Sequence, residues 1–414
     1  MHDALKPWEP APGAWDRDAA AHLWRRAAFC APPSALADTL KRSPAEAAAA
    51  VVDGPAEDPA REGLESIYET ILGTNSADAA RAWLLTRMVR CGHQLREKMA
   101  LFWHGHFATS ILKVREMDWM LKQYRLFLDG GLGPFGDLLV KVTKDPAMLR
   151  WLDTESNRNG LPSSNYAREL FQLFSFNDAT NTETDIKEAA RAFTGWHILQ
   201  HRYHFSPALH DDGEKNVLGR RGAFGGEDVC RIALEQDACG RFLAGKLLRF
   251  FVTPRPDADV TAAFGAELKE RGYDMAAGLK LLFASRFFFA PEHRRTLVKS
   301  PVEFVVGAAR VFGLKLDGEA AVPALRAMGQ DLLAPPNVKG WSGQDDWINT
   351  ATWIARVRAA RHLAGAAEGR FDTDQAWLAF AGGALPAAEK GLLGGAGQRD
   401  LVHALLSLPE GHLA

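Results

Sequence analysis

Apolar residues recur three and four positions apart along almost the whole 414-residue chain, and that period leaves few folds open. Between positions 16 and 29, Ala19, Leu23, Trp24 and Ala27 make one stripe. The same spacing predicts helices over 79–91 (behind Ser76 and Asp78), 95–106, 118–128, 135–142, 164–174 and 185–196. It continues through 228–235, 240–251, 258–271, 275–284, 301–312, 351–364 and 399–406. Period-two alternation is confined to 203–205 and 216–218, which are expected to pair as one small hairpin around the 210–213 loop. Alternating strand and helix units are missing, which excludes a doubly wound parallel sheet. The expected fold is all-α: a multi-helix globular bundle with long functional loops and at most one small β-hairpin.

Composition narrows the classes of function. Hydrophobic residues make up 47% and charged residues 24%, the balance of a soluble chain that buries a core. Lys and Arg total 49 against 51 Asp and Glu, a formal charge of -2 without a basic run, so nucleic acid is excluded as the expected partner. No stretch approaches the ~20 apolar residues that span a bilayer. The first fifteen residues hold Asp3, Lys6, Glu9 and three prolines where a signal peptide needs a basic start and an apolar block. A cytoplasmic protein is the expectation. Four scattered cysteines, Cys30, Cys91, Cys230 and Cys239, fit lone buried thiols in a reducing compartment. Glycine and arginine cluster at 219–226, which sets an expected division into regions 1–220 and 221–414, or one continuous domain with a weak join.

Chemistry-bearing residues concentrate between 104 and 215. His104 and His106 are two apart, so on a regular helix their side chains leave ~200° apart. They converge on a metal only if the helix unwinds at Gly105. Asn165, Glu169 and Gln172 lie at i, i+4 and i+7, a polar stripe on a segment rich in Leu and Phe, with Arg168 alongside. Asp185, Glu188 and Arg191 follow behind Thr184, read as the cap, with Gly195 ending the helix. Glu188 and Arg191 also suit a simple surface pair. His197, His201, His204 and His210 come next, and 210–215 offers His210, Asp211 and Lys215 for proton transfer or anion binding. The 335–350 loop carries Trp341 and Trp347, which line a pocket or plug the loop onto the core.

The order of these segments resembles a known bacterial family. RRAAF (25–29), REKM and FWHGHF (96–107), DPAML (145–149), NYAREL (165–170), EAARAFTGW (188–196), HDxGxK (210–215), KSPVEF (299–304) and PNVKGW (336–341) appear in sequence. Together they are similar to the family catalogued as domain of unknown function 1800, over about residues 15–363. That family has no established reaction. The resemblance implies that its recurrent polar residues fall on His104, His106, Asn165, Arg168, Glu169, Glu188, Arg191, Trp196, His210, Asp211, Lys215, Asn337, Lys339 and Trp341. It also implies a protein partner, because genes of the family often adjoin those of a second family that looks exported and sulfatase-related. Three departures stand out: Gln172 for a second helix carboxylate, Cys30 for Gly, and Ser175-Phe-Asn-Asp178 for a Thr-Leu-Gly turn. Gln172 weakens any di-iron scheme.

The leading expectation is an enzyme with a polar, metal-assisted site between helices, hydrolysis being slightly favoured. His104, His106 and Glu169 would hold Zn²⁺ or Fe²⁺. Glu169, Glu188, Arg191, His210, Asp211 and Lys215 would carry the chemistry. Asn165, Arg168, Trp196, Asn337, Lys339 and Trp341 would meet the substrate. Two alternatives stand beside it: a non-catalytic partner or chaperone of the neighbouring exported protein, and a metal-free carbohydrate cleft using Glu169 and Glu188.

Overall fold

Several helix starts in this chain are marked by side chains that accept the first free backbone N–H groups. In the computed structural model, which describes residues 2–177 and 181–414, Asp16 caps Arg17–Ala27, accepting from Ala19 N–H at 2.9 Å. Ser76 caps Ala77–Arg90, and Asn349 caps Thr350–Gly365. Ser43 with Glu46 and Ser300 with Glu303 form reciprocal capping boxes. The predicted helices appear with ends shifted by a few residues, and the fold is the expected all-α bundle.

The strands differ in pairing. Residues 203–205 and 216–217 are extended and Leu218 lies in a turn, and each stretch pairs with its own neighbour in a separate two-stranded hairpin. β1 (Trp196–Leu199) runs antiparallel to β2 (Arg202–Phe205), and β3 (Lys215–Val217) to β4 (Arg220–Gly222). Both turns have two residues at positive φ, Gln200-His201 and Leu218-Gly219, the geometry that matches strand twist. Glu183–Ala192 is shorter than predicted at its end. Thr182, rather than Thr184, is its cap, and Trp196 lies on β1.

The NYAREL segment also departs from a regular helix. Asn165–Glu169 is α-helical, and Leu170–Ser175 continues as a π-helical turn, with Phe176 N–H bonded to Phe171 C=O at 3.0 Å. The wider pitch rotates Gln172 off the expected Asn165–Glu169 stripe. Asp178, the end of the departing turn, lies outside the described residues.

One cluster of buried apolar residues runs from Leu5 to Leu406 and draws from both sides of position 220. All four cysteines are buried and unpaired. No helix among the described residues is long and apolar enough to cross a membrane.

Cations are threaded through this core. Lys98, on the Gln94–His106 helix, donates to the carbonyls of Arg25 (3.1 Å) and Ala28 (2.8 Å) at the end of Arg17–Ala27, and pairs with Glu303 at 2.7 Å. Arg87 binds Glu97 at 2.8 Å, both buried. Burial alone would raise the Glu303 carboxyl, but the Lys98 ammonium and the Ser300 N–H bond outweigh it and hold it below its ordinary range. Removing one partner of such a pair strands the other charge in the core. Lys98→Met should therefore cost ~3–5 kcal/mol, and Lys98→Met with Glu303→Leu should recover part of that loss in urea unfolding.

Candidate functional site

Arg191 is a structural hub. Its guanidinium grips Asp211 through Nε (2.7 Å) and Nη2 (3.0 Å), and Nη1 reaches both Glu188 oxygens at 3.0 Å. Glu188 also accepts from Asn216 N–H at 2.9 Å, and Asp185 accepts from Leu218 N–H at 2.8 Å. The acids of Glu183–Ala192 thereby fasten the β3–β4 hairpin. Lys215 is buried, and its ammonium donates back into its own loop, to the carbonyls of Asp211 and Gly213. His210 Nδ1 bonds to Thr194 C=O at 2.8 Å. The Glu188, Arg191, Asp211 and Lys215 polar groups thus bond to one another and to the local backbone, a clasp that holds the hairpin on the helix.

The remaining sequence candidates separate. Arg168 forms an exposed two-pronged pair with Glu183 (2.7 and 2.9 Å), Asn165 is exposed, and Glu169 is half-buried. Trp196 is buried between Phe193 and Tyr203. His197 faces His204 across the hairpin, and His201 packs on Trp119, so the histidine-rich stretch does not gather.

His104 and His106 do not converge. Their helix runs unbroken through Gly105 to His106. His104 Nε2 accepts Leu333 N–H at 3.0 Å, and burial pushes its imidazole down to about 3. His106 is engaged on both nitrogens: Nε2 donates to Phe174 C=O at 3.1 Å, and Nδ1 faces the Lys246 nitrogen at 3.1 Å. Among the described residues no group of three or more His, Cys, Asp or Glu is placed to hold a metal ion. His104, His106 and Glu169 therefore do not fit the Zn²⁺ or Fe²⁺ centre expected of them, because their helix geometry and their existing partners oppose it.

The helix backbone at Gly105 is instead a seat for a distant loop. Gly340, at φ +80°, lies directly on the Gly105 backbone, where a Cβ on Gly340 would sit 2.2 Å from the Gly105 carbonyl oxygen. That approach seats the PNVKGW loop on the helix. Asn337 accepts Lys339 N–H at 2.8 Å to shape the turn, and Trp341 packs edge-on to His104 with ring centroids 5.2 Å apart.

A cleft of about 280 Å³ opens where this loop, the His106 end of its helix and Asp237–Phe251 meet. Phe102, Phe250, Trp341 and Trp347 form aromatic walls; His106, Lys246, Arg249, Lys339 and Glu303 bring charge or protons. Neither Glu169 nor Glu188 lines it. Lys246 donates to Leu173 C=O at 3.1 Å and to His106 Nδ1. Burial lowers its ammonium to about 7, with the Arg249 charge adding to the effect. Arg249 is exposed as a residue, and partial desolvation of its guanidinium beside the cleft is the cause that holds it below its ordinary value. Glu303 is already taken by Lys98. Sequence reading missed Lys246 and Arg249. The available signal was two cations one turn apart on an apolar helix, with no acid between Asp237 and Asp257.

A family model described as "Protein of unknown function (DUF1800)" matches residues 22–410, and the chain belongs to that family. No curated protein and no solved structure matches.

Two measurements check this geometry. Gly340→Ala should destabilise by ~2 kcal/mol or more, from the left-handed backbone and the carbonyl clash. Gly105→Ala, whose Cβ would meet only Trp341 at 3.8 Å, should be neutral or stabilise by up to ~1 kcal/mol. His104 takes up a proton on unfolding at any pH between about 3 and its ordinary value near 6.5, so it lowers stability as pH falls through that window, by ~1.4 kcal/mol per unit. The His104→Gln variant should unfold at pH 5 with about one proton fewer taken up.

Proposed function

We propose that this protein is an enzyme whose site is the aromatic cleft between Gln94–His106, Asp237–Phe251 and the 335–347 loop, and that its substrate is a small anion with an apolar body. The observation that carries this reading is Lys246 and Arg249, one turn apart on the cleft wall, with no carboxylate partner among the described residues. Lys339 enters the same cleft from the loop. Cations with no acid paired to them, the lining Glu303 being held by Lys98, attract a carboxylate, phosphate or sulfate, and Arg can engage such a group with two parallel N–H bonds. The aromatic walls supply the larger share of contact area, as in most ligand pockets. A volume of about 280 Å³ suits a metabolite-sized molecule.

The roles divide by position. Arg249 and Lys339 would hold the anionic group. Lys246 and His106, both in the cleft lining, form a hydrogen-bonded amine–imidazole pair. His106 acts here through its hydrogen bond to Lys246, while His104 and Glu169 have no part in the scheme.

Binding can be measured by calorimetry and thermal melting with phenyl phosphate, phenyl sulfate, phenylacetate and uncharged phenol. The anions should raise the melting temperature and weaken with salt, whereas phenol should have little effect. Arg249→Gln, an exposed substitution, should lower anion affinity about tenfold or more, given the ~1.5–3 kcal/mol of a charged hydrogen bond. Equal responses from wild type and Arg249→Gln across the series would overturn the reading.

A further inference from the structure

We infer that Lys246 is a covalent site, forming an imine with a carbonyl group on the anionic molecule that enters the cleft. This deepens the cleft reading and rests on it. Hydrogen-bond accounting is the starting point. His106 Nε2 lies 3.1 Å from Phe174 C=O, an acceptor only, so Nε2 carries the ring hydrogen and Nδ1 presents a lone pair. The Lys246 nitrogen therefore donates to Nδ1, at 3.1 Å, and to Leu173 C=O, also at 3.1 Å. A neutral amine has two hydrogens, and these two acceptors use both. The remaining tetrahedral position of the nitrogen, a lone pair in the neutral amine, is the one neither acceptor occupies; the Phe242 ring centroid lies 4.8 Å from the nitrogen, and Lys246 is a lining residue of the cleft.

The charged surroundings act in the same direction. Arg249 stands one turn along the same helix, Lys339 faces in from the loop, His106 is neutral on the opposing helix, and Glu303 is committed to Lys98. No acid is left to hold Lys246 as an ammonium, and burial with Arg249 brings it down to about 7. A lysine that sheds its proton near neutrality is a nucleophile at working pH. Arg249 and Lys339 would orient a carboxylate or phosphate on the same molecule, which selects 2-oxo acids or phosphorylated aldehydes and ketones as the substrate class.

The step balances without a further reagent. The nitrogen lone pair attacks the carbonyl carbon, a C–N bond forms and the carbonyl oxygen takes the electron pair of its π bond. One amine hydrogen passes through His106 Nδ1 to that oxygen, giving a carbinolamine. The second hydrogen follows as the C–O bond breaks, and water leaves the C=N product. Burial keeps the His106 imidazolium unfavourable, so the ring hands the proton on and does not retain it.

The test uses the full chain with phenylpyruvate, sodium borohydride as the trap, and phenyllactate as the anion without a ketone. Intact mass and peptide mapping should show one reduced adduct on Lys246, suppressed by phenyllactate and increasing as pH rises through about 7. The adduct should be lost in Lys246→Met. Should that variant fail to fold, competition and the pH profile of the wild type decide. Phenyllactate binding that Arg249→Gln abolishes, with no adduct or with label spread over surface lysines, would overturn the imine and leave the anion cleft standing. No binding of either molecule would remove both.

Discussion

The structure depends on buried cations that donate to backbone carbonyls. A chain built from many short helices has many helix ends, and each leaves carbonyls without a helical partner. Where such an end is buried, water cannot serve it, and an unmade bond costs ~1–3 kcal/mol. Lys and Arg carry only donors, so a stem laid through the core delivers hydrogen bonds where several carbonyls converge. Lys98 serves the end of Arg17–Ala27, and Arg25 reaches Leu378 C=O at 2.9 Å. Arg310 meets Val89 C=O at 2.8 Å, Arg356 meets Lys299 C=O at 2.7 Å, and Lys299 meets Gly411 C=O at 2.9 Å. The donors and acceptors are far apart in the chain, so these bonds set how the helices pack.

The motifs that carry the family resemblance divide along this line. RRAAF, REKM and KSPVEF meet at the Lys98–Glu303 pair and its carbonyls. EAARAFTGW and HDxGxK meet at Arg191, where the pairs with Glu188 and Asp211 hold a hairpin on a helix. FWHGHF and PNVKGW meet at the Gly105–Gly340 approach and wall the cleft. In the first two groups the Lys98–Glu303, Arg191–Glu188 and Arg191–Asp211 charges are paired with one another. The third leaves charged groups facing an open space, which is why the functional reading centres there.

The cleft uses the carbonyl-serving device at its inner end. The π-helical turn at Leu170–Ser175 presents the Leu173 and Phe174 carbonyls toward Asp237–Phe251 and Gln94–His106, and Lys246 and His106 answer them. In doing so the turn sets the His106 tautomer and the aim of the Lys246 nitrogen. A structural bond made for a helix end thereby arranges an amine beside a proton acceptor. This is a familiar use of π-helical turns at functional sites.

Much of the fold was legible in the sequence because its cues are local. Helical spacing at 95–106 and the caps at Asp16, Ser76 and Asn349 act within a few residues of themselves. Lone buried cysteines followed from their scatter. The strands were seen but paired wrongly, because the positive-φ turns at Gln200-His201 and Leu218-Gly219 lack the usual double-turn residues. The metal reading failed for a related reason. Spacing shows which residues share a helix face, and it correctly put His104 and His106 apart, but it cannot show that the helix stays regular through Gly105 and that Gly340, 235 positions away, packs on its backbone there. The sequence by itself determined helix, cap and family, through forces that act over one or two turns. Only the tertiary structure decided which charges are consumed in pairs and which are left facing a cleft. Whether Asp211 or Lys246 has a partner is settled by segments that meet in space, and no local pattern encodes that meeting.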